Sequence, residues 1–344
     1  MKKIIFIDNG IEFDSLTKIE KPTGGAETAF ISLVECLAKK NLNITVFNNC
    51  KNTGNINGVN WRKLDNKICD YKFDTIVVNR GDKYLNFQTK CKNRVFWIHN
   101  PAKYLLKFRY LSKLFLNPTT IVFSGNYHLS TYPKWGPCKN RKIIPYGVDD
   151  FIFKSRTKLK NSKPLAIFTS NPLRGLDWLL DLWEKKIFPN VPNAGLKLFT
   201  GTQTYGSHGK KKIQLVRPIL ERAKKLKNKG VFLCKPLPRN QLIEEIKKSR
   251  IFLYSGSYDE TFCMSVAESQ VLGIPSIVKD LGSMSERVID GKTGFVAKTD
   301  KEFCEKAIKL LTDDESWLKM HQYMLNNNSH FSWDRVAEMW QKIL

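Results

Sequence analysis

The segment Glu260-Thr-Phe-Cys-Met-Ser-Val-Ala-Glu268 carries two carboxylates eight positions apart, where the pattern passes from a strand through a loop into a helix. Upstream, the apolar run Ile251–Tyr254 predicts a buried strand, and downstream Gly273 and Pro275 are typical of a helix end. Glu260 is therefore expected on the loop at the carboxyl end of a strand, with Glu268 about one turn inside the next helix. Ligands of open α/β sheets bind at that edge, so the segment predicts a binding site.

Strand and helix patterns alternate along the rest of the chain. In the first half, an amphipathic helix is predicted at residues 26–40, and short apolar runs predict buried parallel strands at 4–7, 44–47, 75–78, 95–98 and 121–123. In the second half, strands are predicted at 165–169, 196–199, 231–233, 251–254 and 276–278, with helices at 176–186, 212–227, 241–249 and 264–272. Two such series predict an α/β protein with two doubly wound halves.

Chain length and one polar stretch predict the domain organisation. A chain of 344 residues suggests roughly two domains of about 150 residues each. Residues 154–160 are polar and lack a strand or helix pattern, so the boundary is expected within residues 150–163. We expect an N-terminal domain at 1–152, a C-terminal domain at 153–325, and a C-terminal helix at 326–344 that crosses back to the N-terminal domain.

Charge and cysteine usage restrict the partners and the compartment. The chain has 57 Lys and Arg against 32 Asp and Glu, a formal net charge of +25. This surplus favours anionic partners such as nucleotides, nucleic acid, phosphorylated glycans or an acidic bilayer face, although an AT-rich coding sequence gives the same composition. Eight cysteines without a C-x-x-C pair favour a reducing cytosol over a zinc site or a disulfide framework. The first residues predict a strand and neither a signal peptide nor a spanning helix.

Two turns between a strand and a helix are candidates for binding an anion. Gly24-Gly25 precedes the first long helix, where glycines let backbone N–H groups approach a phosphate, but such a pair is equally typical of a plain turn. Arg174 precedes the helix predicted at 176–186, where a cation opposes the helix dipole unless an anion binds beside it. A solvent-exposed arginine is the alternative.

His99 and Cys263 are candidates for chemistry of their own. His99 ends a predicted strand and would face a ligand, the alternative being an imidazole packed in the core. Cys263 could be a nucleophile, but no histidine lies near it in sequence, which favours a packing role. The other histidines lack metal-ligand spacing and no D-x-D pair occurs, so metal-free chemistry is expected.

These features together resemble glycosyltransferase family 4, whose members are retaining enzymes of the GT-B fold. The similarity covers nearly the whole chain, and its motifs occur in the order of the family: Gly24-Gly25-Ala26-Glu27, the histidine of 97–100, the hinge 144–149, Arg174-Gly175-Leu176, the E-x7-E segment 260–268, and 291–295. The resemblance implies two Rossmann-like domains facing an interdomain cleft. It also implies a nucleotide-sugar donor, no metal or other cofactor, and transfer with retention of the anomeric configuration.

The resemblance implies roles for the catalytic candidates Glu260 and His99. Glu260 would contact hydroxyls of the donor sugar and support the positive charge that develops at its anomeric carbon. His99 would contact the same sugar from the N-terminal half.

The remaining donor contacts are implied in the same way. Glu268 would bind the ribose diol, Arg174 and the Gly24-Gly25 turn would approach the diphosphate, and backbone amides near Phe262 and Cys263 would hold the sugar. Thr261 replaces the glycine common after the first glutamate, which alters the shape of the sugar pocket. The arginine that usually precedes the Lys-Gly turn of the family is missing, so Lys235 and Arg239 are candidates for a phosphate contact or for base recognition.

The acceptor side is indicated by residues 103–116, a basic amphipathic segment. On a helical wheel, apolar residues including Phe108 and Phe115 share one side, opposite Lys103, Lys107, Arg109 and Lys113. Such a segment is typical of a helix on an anionic membrane surface or of a helix packed on a sheet. The resemblance implies a glycan or lipid-linked glycan acceptor, as in polysaccharide or lipopolysaccharide synthesis, and hence a cytoplasmic protein that is peripheral on the inner membrane face.

Two alternatives compete with a glycosyltransferase. Another enzyme of the GT-B fold, a sugar-nucleotide epimerase or a phosphorylase, is disfavoured because the hinge and the E-x7-E pattern fit transferases better. A nucleic-acid-binding protein is suggested by charge alone, and the sequence lacks a recognition motif with aromatics interleaved among basic residues.

Overall fold

The computed structural model describes residues 2–65, 68, 72–87, 91–157, 163–201 and 210–344. The chain divides into two compact units. The N-unit comprises Met1–Glu20, Gly24–Gly147 and Phe331–Leu344. The C-unit comprises Lys21–Thr23 and Val148–His330. The chain therefore passes from the N-unit to the C-unit after Gly147 and returns after His330.

The N-unit is built on a sheet that has eight strands within the described residues, in the order β3-β4-β2-β1-β5-β6-β7-β8. The strands are β1 Lys3–Ile7, β2 Asn43–Asn48, β3 Gly54–Ile56, β4 Val59–Lys63, β5 Thr75–Asn79, β6 Asn93–Trp97, β7 Thr120–Phe123 and β8 Asn140–Ile143. All neighbours pair in parallel except β3 and β4. The central strand β5 is buried at all of its residues, as expected of a parallel sheet covered on both faces. The strand order reverses between β1 and β5, which creates a topological switch point there.

Four helices of the N-unit lie between these strands within the described residues. They are α1 Thr17–Glu20, α2 Gly25–Lys39, α3 Phe108–Leu116 and α4 Asn126–Ser130. A short 3₁₀ turn at Ala102–Leu106 precedes α3. α2 is the longest, and its buried face includes Phe30, Leu33, Val34 and Leu37.

The C-unit has a six-stranded sheet within the described residues, and all of its strands are parallel. The strands are β9 Leu165–Phe168, β10 Gly195–Phe199, β11 Val231–Cys234, β12 Ile251–Tyr254, β13 Ser276–Lys279 and β14 Gly294–Ala297. The spatial order β11-β10-β9-β12-β13-β14 is the Rossmann order, and its switch point lies between β9 and β12.

The helices of the C-unit alternate with these strands. They are α5 Asp150–Lys154, α6 Leu176–Leu182, α7 Phe188–Asn190, α8 Lys210–Lys225, α9 Arg239–Lys247, α10 Met264–Val271, α11 Met284–Arg287, α12 Asp300–Thr312 and α13 Asp314–Asn326. A π-helical turn at Trp183–Ile187 joins α6 to α7.

The last helix, α14 Trp333–Gln341, belongs to the N-unit and packs against α2. Trp340 lies in the N-unit core, 5.0 Å from Trp97 and 6.3 Å from Phe6 between ring centroids. The carbonyl oxygen of Leu344 accepts a hydrogen bond from Thr75 Oγ1 at 2.7 Å. Burial of this tryptophan and the hydrogen bond to β5 attach the C-terminus to the first half of the chain.

One predicted element is corrected by the structure. Residues 103–116 do not form one helix, because Lys107 is extended (φ −67°, ψ 138°) between the 3₁₀ turn and α3. The break changes which side chains face the core, so the helical-wheel assignment is wrong for α3. Tyr110 and Leu114 are buried, whereas Phe108 and Phe115 are 84% and 79% exposed.

Candidate functional site

The loops that follow β9 and β12 approach each other closely at the switch point of the C-unit, and a glycine allows this approach. Gly175 directly precedes α6 with a left-handed backbone (φ 83°), and a Cβ there would collide with the side chain of Ser255, which follows β12. Ser255 Oγ lies 3.2 Å from the carbonyl oxygen of Arg174, to which it donates. This close approach of two loops brings Arg174 to Glu260, although the two residues are 86 positions apart in sequence.

The Glu260 carboxylate is the centre of this site. Glu260 is 9% exposed. Its Oε2 accepts hydrogen bonds from Arg174 Nη1 and, at 3.0 Å, from the Tyr254 hydroxyl. Its Oε1 accepts from the backbone N–H of Cys263 at 3.1 Å. Three donors from three segments therefore fix both the position and the orientation of this carboxylate.

Charges at the site keep its donors protonated. Burial alone would lower the pKa of Arg174, but the Glu260 carboxylate beside it outweighs burial and raises the pKa above its usual value. Burial and the negative charge of Glu260 together raise the pKa of the Tyr254 phenol. Arg174 is thus a cation and Tyr254 a hydroxyl donor at neutral pH.

The residue directly before α10 has a strained backbone and lies beside the Glu260 carboxylate. Cys263 precedes α10 with φ 65° and ψ 83°, a left-handed conformation that is uncommon for a residue with a side chain. It is buried, and burial and Glu260 raise the pKa of its thiol, which opposes a role as a thiolate nucleophile. Thr261 and Phe262 are also buried, and the Arg287 guanidinium lies 4.5 Å from the centroid of the Phe262 ring.

The second glutamate of the segment lies on α10 and meets an arginine. Glu268 is 1% exposed, and its Oε1 forms an ion pair with Arg239 Nη2 at the start of α9. Arg239 was predicted to contact phosphate or base, and the structure places its guanidinium against this carboxylate with its side chain 12% exposed, against 33% for that of Arg174. Lys235, the other candidate, is exposed on the loop after β11.

The N-unit carries a second charged cluster at its own switch point. Arg80 follows β5 with φ 51°, and its Nε and Nη1 donate to Asp8 at 2.9 Å and to Glu27 at 2.7 Å. Asp8 follows β1, and Glu27 lies in the first turn of α2. Burial opposes the charge of Arg80, but the two carboxylates raise its pKa above the usual value.

The predicted glycine pair lies beside this cluster. Gly24 is the residue before α2, and a Cβ at Gly24 would collide with Glu27 Oε2. The carboxylate of Glu27 thus lies at the amino end of α2, where the helix dipole favours negative charge. A diphosphate that approaches Gly24 and Gly25 would meet this carboxylate first.

His99 is held by side chains on both sides of its ring. Nε2 lies 2.7 Å from Asn79 Oδ1, and Nδ1 contacts the Tyr146 hydroxyl. The amide nitrogen of Asn79 donates to Asp8, so its oxygen accepts from His99, which places the imidazole proton on Nε2. Burial and the nearby Arg80 lower the pKa of His99 well below 6.5, so the ring is neutral. The predicted sugar contact would require exchange of one of these bonds.

The structure adds residues that the sequence did not single out. Tyr254 donates to Glu260, Arg287 stacks on Phe262, and Asp8 and Arg80 form the N-unit cluster. Asp8 and Arg80 directly follow strands next to a switch point, and Tyr254 is the last residue of such a strand. A search of every polar residue at those strand ends would have found these three, but not Arg287, which ends a helix.

Within the described part of the chain, no group of three or more His, Cys, Asp and Glu side chains could hold a metal ion. No helix among the same residues is long and apolar enough to cross a bilayer.

Comparison with known proteins agrees with this architecture. Residues 209–329 match the family model described as glycosyl transferases group 1. A probable sucrose-phosphate synthase of Thermosipho melanesiensis is 22% identical over 299 residues, which cover 85% of this chain and 67% of that protein. The next two curated relatives are matched over only 39% and 26% of their own lengths.

Several solved structures superpose over 99% of this chain, among them those of HepE and WaaG. HepE from Anabaena, in complex with UDP-glucose, superposes with a TM-score of 0.77 at 14% identity over 99% of its own chain. WaaG, a glycosyltransferase involved in lipopolysaccharide biosynthesis, superposes with a TM-score of 0.73 at 12% identity, also over 99% of its chain. At these identities the likeness shows the fold.

The two Rossmann-like units and these similarities define the class of protein. The fold is GT-B. With the match of residues 209–329 to the group 1 model, these similarities support a glycosyltransferase, and the family match itself lies within the C-unit.

Proposed function

We propose that this glycosyltransferase is a retaining, metal-independent enzyme of family 4 that transfers a sugar from a nucleoside diphosphate sugar. The observation that carries the proposal is the contact between Arg174 and Glu260 at the switch point of the C-unit, where Tyr254 and the Cys263 amide complete the carboxylate's hydrogen bonds. When the bond between sugar and diphosphate breaks, the diphosphate becomes more negative and the sugar more positive. A fixed guanidinium can stabilise the first charge, and a fixed carboxylate beside it can stabilise the second.

Arg174 is assigned to the leaving group. As the glycosidic bond breaks, the nucleoside diphosphate gains negative charge, which a preorganised guanidinium stabilises more in the transition state than in the ground state. α6 begins at Leu176, two residues after Arg174, and the partial positive charge of its amino end adds to the same effect. Positive charge from the protein would then stabilise the leaving diphosphate without a metal ion.

Glu260 is assigned to the sugar. The anomeric carbon becomes oxocarbenium-like as the leaving group departs, so a nearby carboxylate stabilises it. Glu260 would act through this charge and through contacts with sugar hydroxyls, without a covalent adduct. Departure of the diphosphate and attack of the acceptor on the same face would retain the anomeric configuration.

Glu268 is assigned to the donor ribose, and UDP-glucose is the first donor to test. Glu268 lies on α10, the helix whose amino end also carries the Glu260 contacts. HepE, whose structure holds UDP-glucose, shares the fold over the whole chain. UDP-, GDP- and ADP-glucose would be compared by thermal shift to establish the base.

A glycan or lipid-linked glycan at the inner face of the membrane is the proposed acceptor, in polysaccharide or lipopolysaccharide synthesis. Phe108, Phe115 and Leu116 on α3 are 84%, 79% and 75% exposed, with Lys107 and Arg109 beside them. Exposed aromatic side chains next to basic ones suit an anionic bilayer surface, into whose boundary the rings can insert. WaaG, which shares the fold, acts in lipopolysaccharide biosynthesis. The protein would be cytoplasmic and peripheral.

The decisive experiment measures transfer and its stereochemistry together. Wild-type protein and Glu260→Gln are incubated with donor and a panel of glycan and lipid-linked acceptors, with and without EDTA. We expect wild-type transfer that EDTA leaves unchanged, a product with the donor's anomeric configuration by proton NMR, and loss of most turnover in Glu260→Gln. Inversion, or a variant as active as wild type, would refute the proposed mechanism.

A further inference from the structure

Arg239 and Glu268 form a buried ion pair between the start of α9 and the middle of α10. The Arg239 side chain is 12% exposed and that of Glu268 1%. α9 and α10 are in contact in the C-unit. The pair joins two helices that both begin at the carboxyl edge of the sheet, the edge at which ligands of this fold bind.

The environment of Arg239 is acidic. Burial lowers the pKa of Arg239 to about 10, and the negative charge of Asp149, the residue before α5, opposes that shift. At neutral pH the guanidinium therefore stays charged, in contact with the Glu268 carboxylate. Its side chain is 12% exposed, against 33% for that of Arg174, so it presents less of its guanidinium to a diphosphate, which was one of the roles predicted from the sequence.

The Glu268 carboxylate has acceptor positions left over within the described residues. Both of its oxygens are buried; Oε1 contacts Arg239 Nη2, and Oε2 has no hydrogen-bond partner there. Each carboxylate oxygen has two lone pairs, so the ion pair leaves positions for further donors, and a buried charged acceptor without a donor costs about 1–3 kcal/mol or more. The two oxygens match the two O–H donors of a vicinal diol.

We propose that Arg239 is a positioning residue that keeps the Glu268 carboxylate ionised and oriented so that it accepts from both hydroxyls of the donor ribose. This inference rests on the proposed function for the identity of the ligand. Without Arg239, Glu268 would be an unpaired buried charge. The free-energy cost of that charge falls only if the carboxylate takes up a proton or turns toward water. Either change removes an acceptor from the diol.

Arg239 is expected to affect the choice between ribose and 2′-deoxyribose as well as the affinity for the nucleotide. A site built to bond a hydroxyl rejects the analogue that lacks it, because the buried acceptor is then left unpaired. Selection of ribose over 2′-deoxyribose should therefore depend on Arg239, even though Arg239 is not assigned to touch the nucleotide. If Arg239 were needed only for folding, its substitution would weaken the binding of both nucleotides equally.

The test is equilibrium binding of paired nucleotides by calorimetry to the full-length protein. The probes are UDP, GDP and ADP, each with its 2′-deoxy counterpart, and the proteins are wild type, Arg239→Met, Arg239→Lys and Lys247→Met. Lys247 is the matched control, because it lies on the same helix and pairs only with Glu244 among the described residues. Thermal unfolding of each variant establishes that it is folded.

The expected result is a selective loss. Wild type and Lys247→Met should prefer the ribonucleotide by on the order of 10- to 100-fold, the value of one or two buried hydrogen bonds. Arg239→Met should bind ribo and deoxy forms about equally, mainly by losing affinity for the ribo form, and Arg239→Lys should recover part of the preference. In turnover the same loss should raise the donor KM with little change in kcat.

Several outcomes would overturn the inference. An Arg239→Met variant that keeps the wild-type preference contradicts it, and so does an equal weakening of both forms. If Arg239→Met does not fold, Arg239→Met with Glu268→Gln removes the unpaired charge, and retention of ribose preference in that protein would contradict it. Wild type that binds none of the six nucleotides would refute the proposed donor as well, whereas ribose selection that depends on Arg239 without sugar transfer would refute only the proposed function.

Discussion

Arg174 donates to the carboxylate of Glu260 across 86 positions of sequence, from the loop after β9 to the loop after β12. The contact exists because β9 and β12 are neighbours at the point where the strand order of the C-unit reverses. Strands adjacent in the sheet but distant in sequence thus place a cation and a carboxylate side by side. The predictions below test what this arrangement and its surroundings do.

Removal of the guanidinium should abolish most of the activity. Arg174→Met is expected to lower kcat by on the order of 10²- to 10³-fold, because the charge that develops on the leaving diphosphate is no longer stabilised. Arg174→Lys should retain part of the rate, since it keeps the charge but not the planar fork. Arg222→Met is the control, an arginine that pairs with Asp177 and Asp181 on the C-unit surface. Steady-state kinetics in which Arg174→Met and Arg222→Met behave alike would contradict the assignment.

Loss of one hydroxyl should have a smaller effect. Tyr254→Phe removes the donor 3.0 Å from Glu260 Oε2 and leaves the Arg174 and Cys263 contacts in place. Loss of one hydrogen bond to a charged group corresponds to about 1.5–3 kcal/mol, so kcat/KM should fall roughly 10- to 100-fold. A wild-type rate in Tyr254→Phe would show that the orientation of Glu260 does not depend on this hydroxyl.

The turn before α6 should tolerate only glycine. Gly175→Ala combines a left-handed backbone with a collision against Ser255, whereas Gly291→Ala has the same sign of φ with no atom within 4 Å of the added Cβ. Gly291→Ala should cost about 1–2 kcal/mol of unfolding free energy, the strain of the left-handed conformation. Gly175→Ala should cost more and should also reduce activity, because it moves Arg174. Equal destabilisation in urea unfolding would show that the loop contact is unimportant.

Stability should fall in mild acid. Burial lowers the pKa of His128 to about 4 and that of His330 to about 3, and it lowers the pKa of His99 and His321 as well. Below pH 6.5 the unfolded chain binds protons that the folded chain does not, so the unfolding free energy decreases as pH falls toward 4. Each histidine contributes up to about 1.4 kcal/mol per pH unit in that window.

The acid effect can be assigned to one residue. His330→Gln removes a titrating group while keeping a side chain able to donate to Gln270, whose Oε1 lies 2.7 Å from His330 Nε2. Its unfolding free energy should depend less steeply on pH between 6.5 and 4 than that of wild type. Denaturant melts at several pH values provide the measurement, and parallel curves would exclude His330 as a contributor.

Membrane binding should depend on the exposed side chains of α3. Phe108→Ser with Phe115→Ser is expected to abolish flotation with anionic liposomes, because each inserted ring contributes up to about 1.5–3 kcal/mol. Leu215→Ser, at a 62% exposed residue of α8, is the control and should float as wild type does. No flotation of wild type at low salt would contradict membrane association.

Local patterns predicted most of the fold. The strand at Ile251–Tyr254 was predicted with its observed bounds, and α2 and α10 within one residue at each end, because apolar periodicity and glycine signals act over neighbouring residues. β3, β4, β8 and β14 were not predicted. β3 and β8 are short edge strands and mostly exposed, so they lack the apolar run that marks a buried strand.

The candidate site was predicted in part. Glu260 and Arg174 were named from their places after strands, and the structure brings them together. The partners of Arg239 and His99 could not be derived, since each contact joins residues from separate segments. The break at Lys107 is likewise invisible to a helical wheel, which assumes one continuous helix.

The sequence by itself determined the two βα series, their order along the chain and the residues at the strand ends, since these depend on local periodicity and local backbone preference. The tertiary structure decided which of those ends are neighbours, that Glu268 faces Arg239, and which side of α3 is exposed. These outcomes depend on strand order and packing between segments far apart in sequence, where many pairings satisfy the same local pattern.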